Sequence, residues 1–323
     1  MEPKKKRSRL YDFIHRDGKG VSKSDVVTTH GLKGFFYRFR LSFSKLISIN
    51  MIYVFGNVLL LFFILTLAGY TKIPYVTPQN DFYNAALGIQ TAQGTFSAAD
   101  FSMLTVFGQQ TTAYANSTLT YVFWAISALT VLTFGCVNAG TAYLLRNLAK
   151  GDPIFPISDF FYAVKRNFKQ AIPMGIIDAA ILCIVPYNIF TMVVSNSGFM
   201  TSFMLWMNVA IFIVYFIMRF YIYMLMVTFD LSIFQILKNA LIFTMLGIKR
   251  NLAALLGIFL LVFLDVVLLL SGAGFLLPLA LAIPVLFLFA VGAFMATYAG
   301  YYVIKQYMID PYYEKQAQAQ EEN

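Results

Sequence analysis

Six stretches of this chain are too apolar, over too great a length, for water to be their solvent: Leu46–Tyr70, Thr118–Leu145, Ile172–Val194, Phe203–Phe229, Leu252–Leu270 and Phe275–Ile304. A helix rises about 1.5 Å per residue, so about 20 apolar residues cross the roughly 30 Å of hydrocarbon in a bilayer. Each stretch meets that requirement. Composition agrees, with 59% of the 323 residues hydrophobic and 12% charged, against about 45–50% and about 25% in soluble domains. The expected fold is an all-α polytopic membrane helix bundle of six transmembrane helices. Its expected parts are a basic tail (residues 1–31), a membrane domain (32–304) carrying an extracytoplasmic insert (71–117), and a second tail (305–323).

Lysine and arginine set the orientation. Twelve of the 24 precede position 46, and only Lys72 lies between the first two apolar stretches. Arg146, Lys150, Lys165, Arg166 and Lys169 fall between the second and third, Lys238, Lys249 and Arg250 between the fourth and fifth, and Lys305 and Lys315 after the sixth. The remaining connections have none. Under the positive-inside rule this alternation puts both termini in the cytoplasm (N-in/C-in). The first stretch follows a polar tail too long for a signal-peptide n-region and is long enough to span, so it reads as an uncleaved membrane helix. The multi-pass chain is thus expected in a cell membrane, with the lipid bilayer as its first partner. The run Lys4-Lys5-Lys6-Arg7-Ser8-Arg9 reads as a topology and anionic-lipid signal, not a nucleic-acid arm.

Three segments repeat an amphipathic pattern on the side assigned to the cytoplasm. Leu32, Phe36, Phe39, Phe43 and Leu46 recur at helical spacing; so do Phe160, Val164, Phe168 and Ile172, after a cap at Ser158 or Asp159. The third set is Ile233, Leu237, Leu241 and Ile248, after a cap at Ser232. Each has basic residues between its apolar ones, as helices lying along a membrane face do. Two end alike, in Lys165-Arg166-Asn167 and Lys249-Arg250-Asn251. These six residues are candidates for docking a partner, although any inward loop needs basic residues beside the membrane. In the insert, short helices are expected around Asp81–Ile89 and Ala98–Val106.

Ionisable side chains in hydrocarbon are expensive and mark function by default. Asp178, Arg219 and Asp265 are the three candidates, about 9, 15 and 20 Å from the cytoplasmic side at helical rise. Asp178 and Arg219 are close enough in depth to pair; Asp265 reaches Arg219 only through long side chains or tilted helices. With Asn57, Asn138, Asn188 and Asn208 they could form a polar substrate or ion site. Helix-joining ion pairs and amide bonds explain the same residues. Pro173 and Pro186, and Pro278 and Pro284, are expected to interrupt the third and sixth helices. Small residues at four-residue spacing (Gly135 and Ala139; Gly292, Ala296 and Gly300) point to close helix packing.

Enzyme signals are missing. The two histidines, His15 and His30, lie in the basic tail, so no histidine-based dyad or metal cluster is expected in the bundle. There is no phosphate-binding glycine loop, and glutamate occurs only at Glu2, Glu314, Glu321 and Glu322. No catalytic residues, metal ligands or cofactor are assigned.

One stretch carries a family likeness. Phe134-Gly135-Cys136-Val137-Asn138-Ala139-Gly140, Leu145-Arg146-Asn147, Asp159-Phe160-Phe161 and Lys165-Arg166-Asn167-Phe168-Lys169-Gln170 resemble the YesL-like family (domain of unknown function 624), as does Asn57-Val58-Leu59-Leu60. That family often has proline where this chain has Cys136, and its members are usually shorter. The resemblance implies a bacterial protein, chiefly of the Gram-positive cytoplasmic membrane, in a family without an established activity. Its genes tend to accompany carbohydrate uptake, so the resemblance implies an accessory or permease-like component beside ABC-type transporter subunits. Permeases of that type present a glutamate-alanine-alanine element, for which Asn239-Ala240 and Gly247 are a poor substitute. A self-contained secondary carrier using Asp178, Arg219 and Asp265 stays open, as does a non-transporting scaffold or sensor.

Overall fold

The computed structural model describes residues 31–78, 97–99, 110–195, 198–271 and 276–321, together with Gly88 and Gly274. The chain divides into two units, Met1–Phe43 and Ser44–Asn323. The expected tail and most of the expected insert helices, Asp81–Ile89 and Ala98–Val106, lie outside the described residues.

Helices dominate. They are α1 (Gly31–Gly56), α2 (Leu60–Leu67), α3 (Thr118–Ala128), α4 (Thr130–Lys150), α5 (Pro156–Ser195), α6 (Gly198–Thr228), α7 (Ile233–Leu246), α8 (Ile248–Leu270), α9 (Leu277–Ile283), α10 (Phe289–Ile304) and α11 (Asp310–Glu321). Turns of π-helix join α9 to α10 (Pro284–Leu288) and α10 to α11 (Lys305–Ile309). Among the described residues five helical stretches are long and apolar enough to cross a membrane, or six if α1 and α2 count as one span bent by 67°. The chain is a multi-pass membrane protein by this measure. Its exposed side chains agree: Leu256, Phe259, Leu260, Phe263 and Leu264 on α8 face outward, a surface that lipid covers and water does not.

Within the first unit, Phe39 lies 5.9 Å from Phe35 and 5.6 Å from Phe43, ring to ring along one face of α1. The first expected span proves to be broken at Asn57–Leu59. The expected extracytoplasmic insert opens and closes as an antiparallel ribbon, β1 (Lys72–Pro78) on β2 (Gln110–Asn116), with Lys72 opposite Asn116. Strands were not expected there. The Ser117 and Thr120 hydroxyls both donate to the Thr71 carbonyl, at 2.5 and 3.0 Å, and seat the ribbon on the start of α3.

The expected amphipathic helices also need correction. Only α7 is a separate element, opened by a capping box in which Ser232 and Gln235 exchange hydrogen bonds. The other two run on into the span that follows, as α1 and α5. Nor do Pro173 and Pro186 interrupt α5, which continues for 40 residues; membrane helices re-satisfy backbone groups freed by proline. The face that α5 buries is Phe160, Ala163, Asn167, Ala171, Met174 and Asp178; of the expected apolar stripe Phe160 is buried, Val164 and Ile172 are half-buried and Phe168 is exposed. Small residues set that choice. A Cβ on Gly135 of α4 would overlap the Ala171 carbonyl, and one on Gly175 would overlap the Gly135 backbone, so α4 and α5 meet backbone to backbone.

The core gathers where α4, α5, α6 and α10 come together: Leu144, Met174, Tyr221, Ile222, Leu225 and Phe294 are fully buried there. The C-terminal end of α6 is held by side chains. Arg146 Nη1 donates to the Val227 carbonyl and to Thr228 Oγ1, both at 3.1 Å, Arg166 Nη2 donates to the same Val227 carbonyl at 2.9 Å, and Gln170 donates to the Leu231 carbonyl. The last carbonyls of a helix have no partner within it and carry partial negative charge. The two arginines supply both needs.

Candidate functional site

Residues four apart on a helix share a face. On α6, Tyr215, Arg219 and Tyr223 are so spaced, and all three turn to Asp178 of α5. The Tyr215 hydroxyl donates to Asp178 Oδ1 at 2.9 Å and the Tyr223 hydroxyl to Oδ2 at 2.7 Å. Arg219 Nε lies 2.9 Å from Oδ1 and donates to Oδ2 at 3.1 Å. Asp178 is fully buried, so three donors replace the water its carboxylate has lost.

The Arg219 guanidinium lies 5.9 Å from the ring centre of Phe134 on α4. Only its Nε is engaged. Neither Nη1 nor Nη2 makes a hydrogen bond to a described residue, and neither is sealed from open space. Arg219 is among the residues that line a half-open chamber of about 300 Å³ bounded by α1, α4, α6, α8 and α10. Its polar lining comprises Arg219, Tyr223, Tyr53, Asn138, Thr141 and Thr297, set among apolar side chains such as Phe216, Phe220, Leu261 and Phe289. Asn138 Nδ2 is spent on the Phe134 carbonyl at 2.8 Å, which leaves its Oδ1 free to accept. The Tyr53 and Thr297 hydroxyls likewise have no hydrogen-bond partner among the described residues. A largely apolar cavity with a few converging unpaired polar groups is the usual form of a small-molecule site, and this one is at the small end of that range, about 300–1,000 Å³.

One wall owes its shape to Asn50, which the sequence did not single out. Its Nδ2 donates to the carbonyls of Pro284 and Val285 at 2.9 and 2.7 Å, and its Oδ1 accepts from the Ala290 N–H at 2.8 Å. Asn50 thereby ties α1 to the π-turn, beside the lining residues Ile49, Tyr53, Leu288 and Phe289. Irregular turns inside membrane helices tend to sit at functional sites.

The other expected residues fall elsewhere. Asp265 of α8 is buried, its Oδ1 without a partner among the described residues, but it neither bonds Arg219 nor lines the chamber. Asn57 donates to the Tyr53 carbonyl at 2.9 Å, and Asn208 to the Met204 carbonyl at 2.9 Å. Neither they nor Asn188 line the chamber. Of the docking candidates, Asn167 and Asn251 point inward: Asn167 donates to the Ala163 carbonyl, and Asn251, fully buried, accepts from the Tyr221 hydroxyl at 2.6 Å. Lys165, Arg166, Lys249 and Arg250 are all exposed, and of these Arg166 is engaged on the Val227 carbonyl of α6. No group of three or more histidine, cysteine or acidic side chains comes together among the described residues.

Comparison with known proteins adds one finding. The family model described as "Protein of unknown function, DUF624" matches residues 113–189, from the end of β2 to most of α5. This range holds every element of the YesL-like resemblance except Asn57–Leu60, and over these residues the chain is similar to that family. Neither a curated protein nor a solved structure matches the chain.

Proposed function

We propose that this protein is a permease-like or accessory component of solute uptake, and that the chamber beside Arg219 is where the solute is held. The observation that carries the proposal is the set of unpaired polar atoms facing that chamber: Arg219 Nη1 and Nη2, Asn138 Oδ1 and the Tyr53 and Thr297 hydroxyls. These atoms are spent on no described protein partner, so they are available to a molecule held in the cavity. Carbohydrate is the solute class implied by the family resemblance, an association of genes and not a mechanism. In this reading both termini are cytoplasmic, as the lysine and arginine pattern requires. The exposed Lys165, Lys249 and Arg250 then face the cytoplasm, where a partner such as a transporter ATPase would dock. The proposal gives the chain no catalytic step of its own.

The reading is tested by growth on single carbon sources of a deletion strain complemented with the wild-type gene or with Ala142→Phe, which fills the chamber from α4. Wild type is expected to restore growth on a subset of sources, and Ala142→Phe to fail at equal membrane abundance. Full restoration by Ala142→Phe would remove the chamber from the function.

A further inference from the structure

We propose that the ligand of the chamber is a neutral polyhydroxylated molecule of about monosaccharide size, and that the site is built to reject charged relatives of it. The inference rests on the reading of the chamber as a solute site and goes further, to the chemistry of the solute.

Charge accounting carries the argument. Arg219 brings one positive charge, and Asp178 cancels it at 2.9 Å. No other lysine, arginine, histidine, aspartate or glutamate lines the chamber. The lining is therefore already neutral before any ligand arrives. An anion would pair with Arg219 only by adding a negative charge that nothing compensates, in a low-dielectric interior where such a charge is expensive. A cation fares no better. Both Asp178 oxygens are occupied by Tyr215, Tyr223 and Arg219, and Asp178 itself does not line the cavity.

A neutral molecule with several hydroxyl groups meets each free polar atom. The two Arg219 Nη groups only donate, and a hydroxyl oxygen accepts. Asn138 Oδ1 only accepts, and a hydroxyl proton satisfies it. The Tyr53 and Thr297 hydroxyls do either. Each hydroxyl of a polyol both donates and accepts, so hydroxyls on neighbouring carbons can serve the donors and the acceptor of this mixed array, where a ketone only accepts. Between the polar atoms stand the rings of Tyr53, Phe216, Phe220 and Phe289, surfaces against which the C–H faces of a sugar ring pack. A volume of about 300 Å³ is enough for one small molecule of this size.

The experiment is equilibrium binding to the full chain in mild detergent, with radiolabelled glucose, galactose, mannose and myo-inositol as neutral probes. Gluconate, galacturonate and glucosamine are the charged probes. At least one neutral probe is expected to bind, and no charged probe to bind as well. Tyr53→Phe and Thr297→Val each remove one hydroxyl that has no protein partner. Each is expected to weaken binding about fivefold, the worth of one hydrogen bond, while the melting temperature without ligand stays put. If a charged probe binds and the neutral ones do not, the electroneutral assignment is wrong, although the chamber remains a solute site. If no probe binds to folded protein, the polyol assignment falls, and the growth test with Ala142→Phe decides separately whether the chamber is used at all.

Discussion

Asn50 donates to the carbonyl of Pro284 at 2.9 Å, from a helix 234 positions away in sequence. Proline has no N–H and displaces the turn before it. The π-turn that begins at Pro284 leaves carbonyl groups and one N–H without ordinary helical partners, and one amide side chain serves Pro284, Val285 and Ala290 together. The π-turn of the last span is therefore tied to the first helix. Asn50→Leu keeps the side-chain size and removes every bond, so it is expected to lower stability by about 3 kcal/mol. Thermal unfolding in detergent measures this, and an unchanged midpoint would mean that the π-turn does not depend on Asn50.

The same reasoning makes Asp178 primarily a folding residue. It is fully buried, faces Arg219 rather than the chamber, and accepts from two phenols besides. Removing one member of a buried ion pair costs about 3–5 kcal/mol because the other is left unpaired. Asp178→Asn is accordingly expected to deplete the protein from membranes, as is Arg219→Met alone. The double variant should recover part of the loss, which a double-mutant cycle on unfolding midpoints reads directly. Normal abundance of Asp178→Asn with uptake abolished would instead make the carboxylate a functional group.

Much of this was legible in the sequence, for reasons that name themselves. Apolar length announced the helices, and the depths of Asp178 and Arg219 brought them into register. Tyr215 and Tyr223 stand four residues either side of Arg219, a signal that was available but is easily lost among the chain's 20 tyrosines. Asn50 gave no such signal, because its role exists only once the π-turn at Pro284, far along the chain, has formed. Asp265 falls outside the chamber although its depth is similar. Depth is a one-dimensional coordinate, and α8 meets the chamber through Ile258, Leu261 and Val262 and not through Asp265.

The contact of α4 with α5 separates two kinds of small residue. A methyl group at Gly135 would meet the Ala171 carbonyl and the Gly175 backbone, neither of which can step aside. At Gly300 the nearest atom is Met224 Cε, 2.8 Å away, the end of a flexible side chain. Gly135→Ala is expected to cost about 3 kcal/mol, the upper part of the overpacking range, and Gly300→Ala less than about 1 kcal/mol. Equal losses would contradict the backbone contact between the two helices.

Burial and hydrogen bonding together divide the two matching basic motifs into structural and available residues. Asn167 and Asn251 occupy the third place in each and are both buried, Asn251 joining α8 to Tyr221 of α6. Arg166 is spent on the Val227 carbonyl. What is left for a partner is Lys165, Lys249 and Arg250, the last lying 5.6 Å from the ring centre of Tyr302. Charge reversal at exposed positions usually shifts stability by no more than about 0.5 kcal/mol, so Lys165→Glu/Lys249→Glu should fold normally. If these residues dock a cytoplasmic subunit, that variant is expected to lose the subunit in a mild-detergent pull-down that recovers it with wild type. Asn251→Leu should behave differently, with less protein in the membrane but the subunit still bound to whatever remains. Retention of the same subunit by the charge-reversed pair would assign those lysines to topology alone.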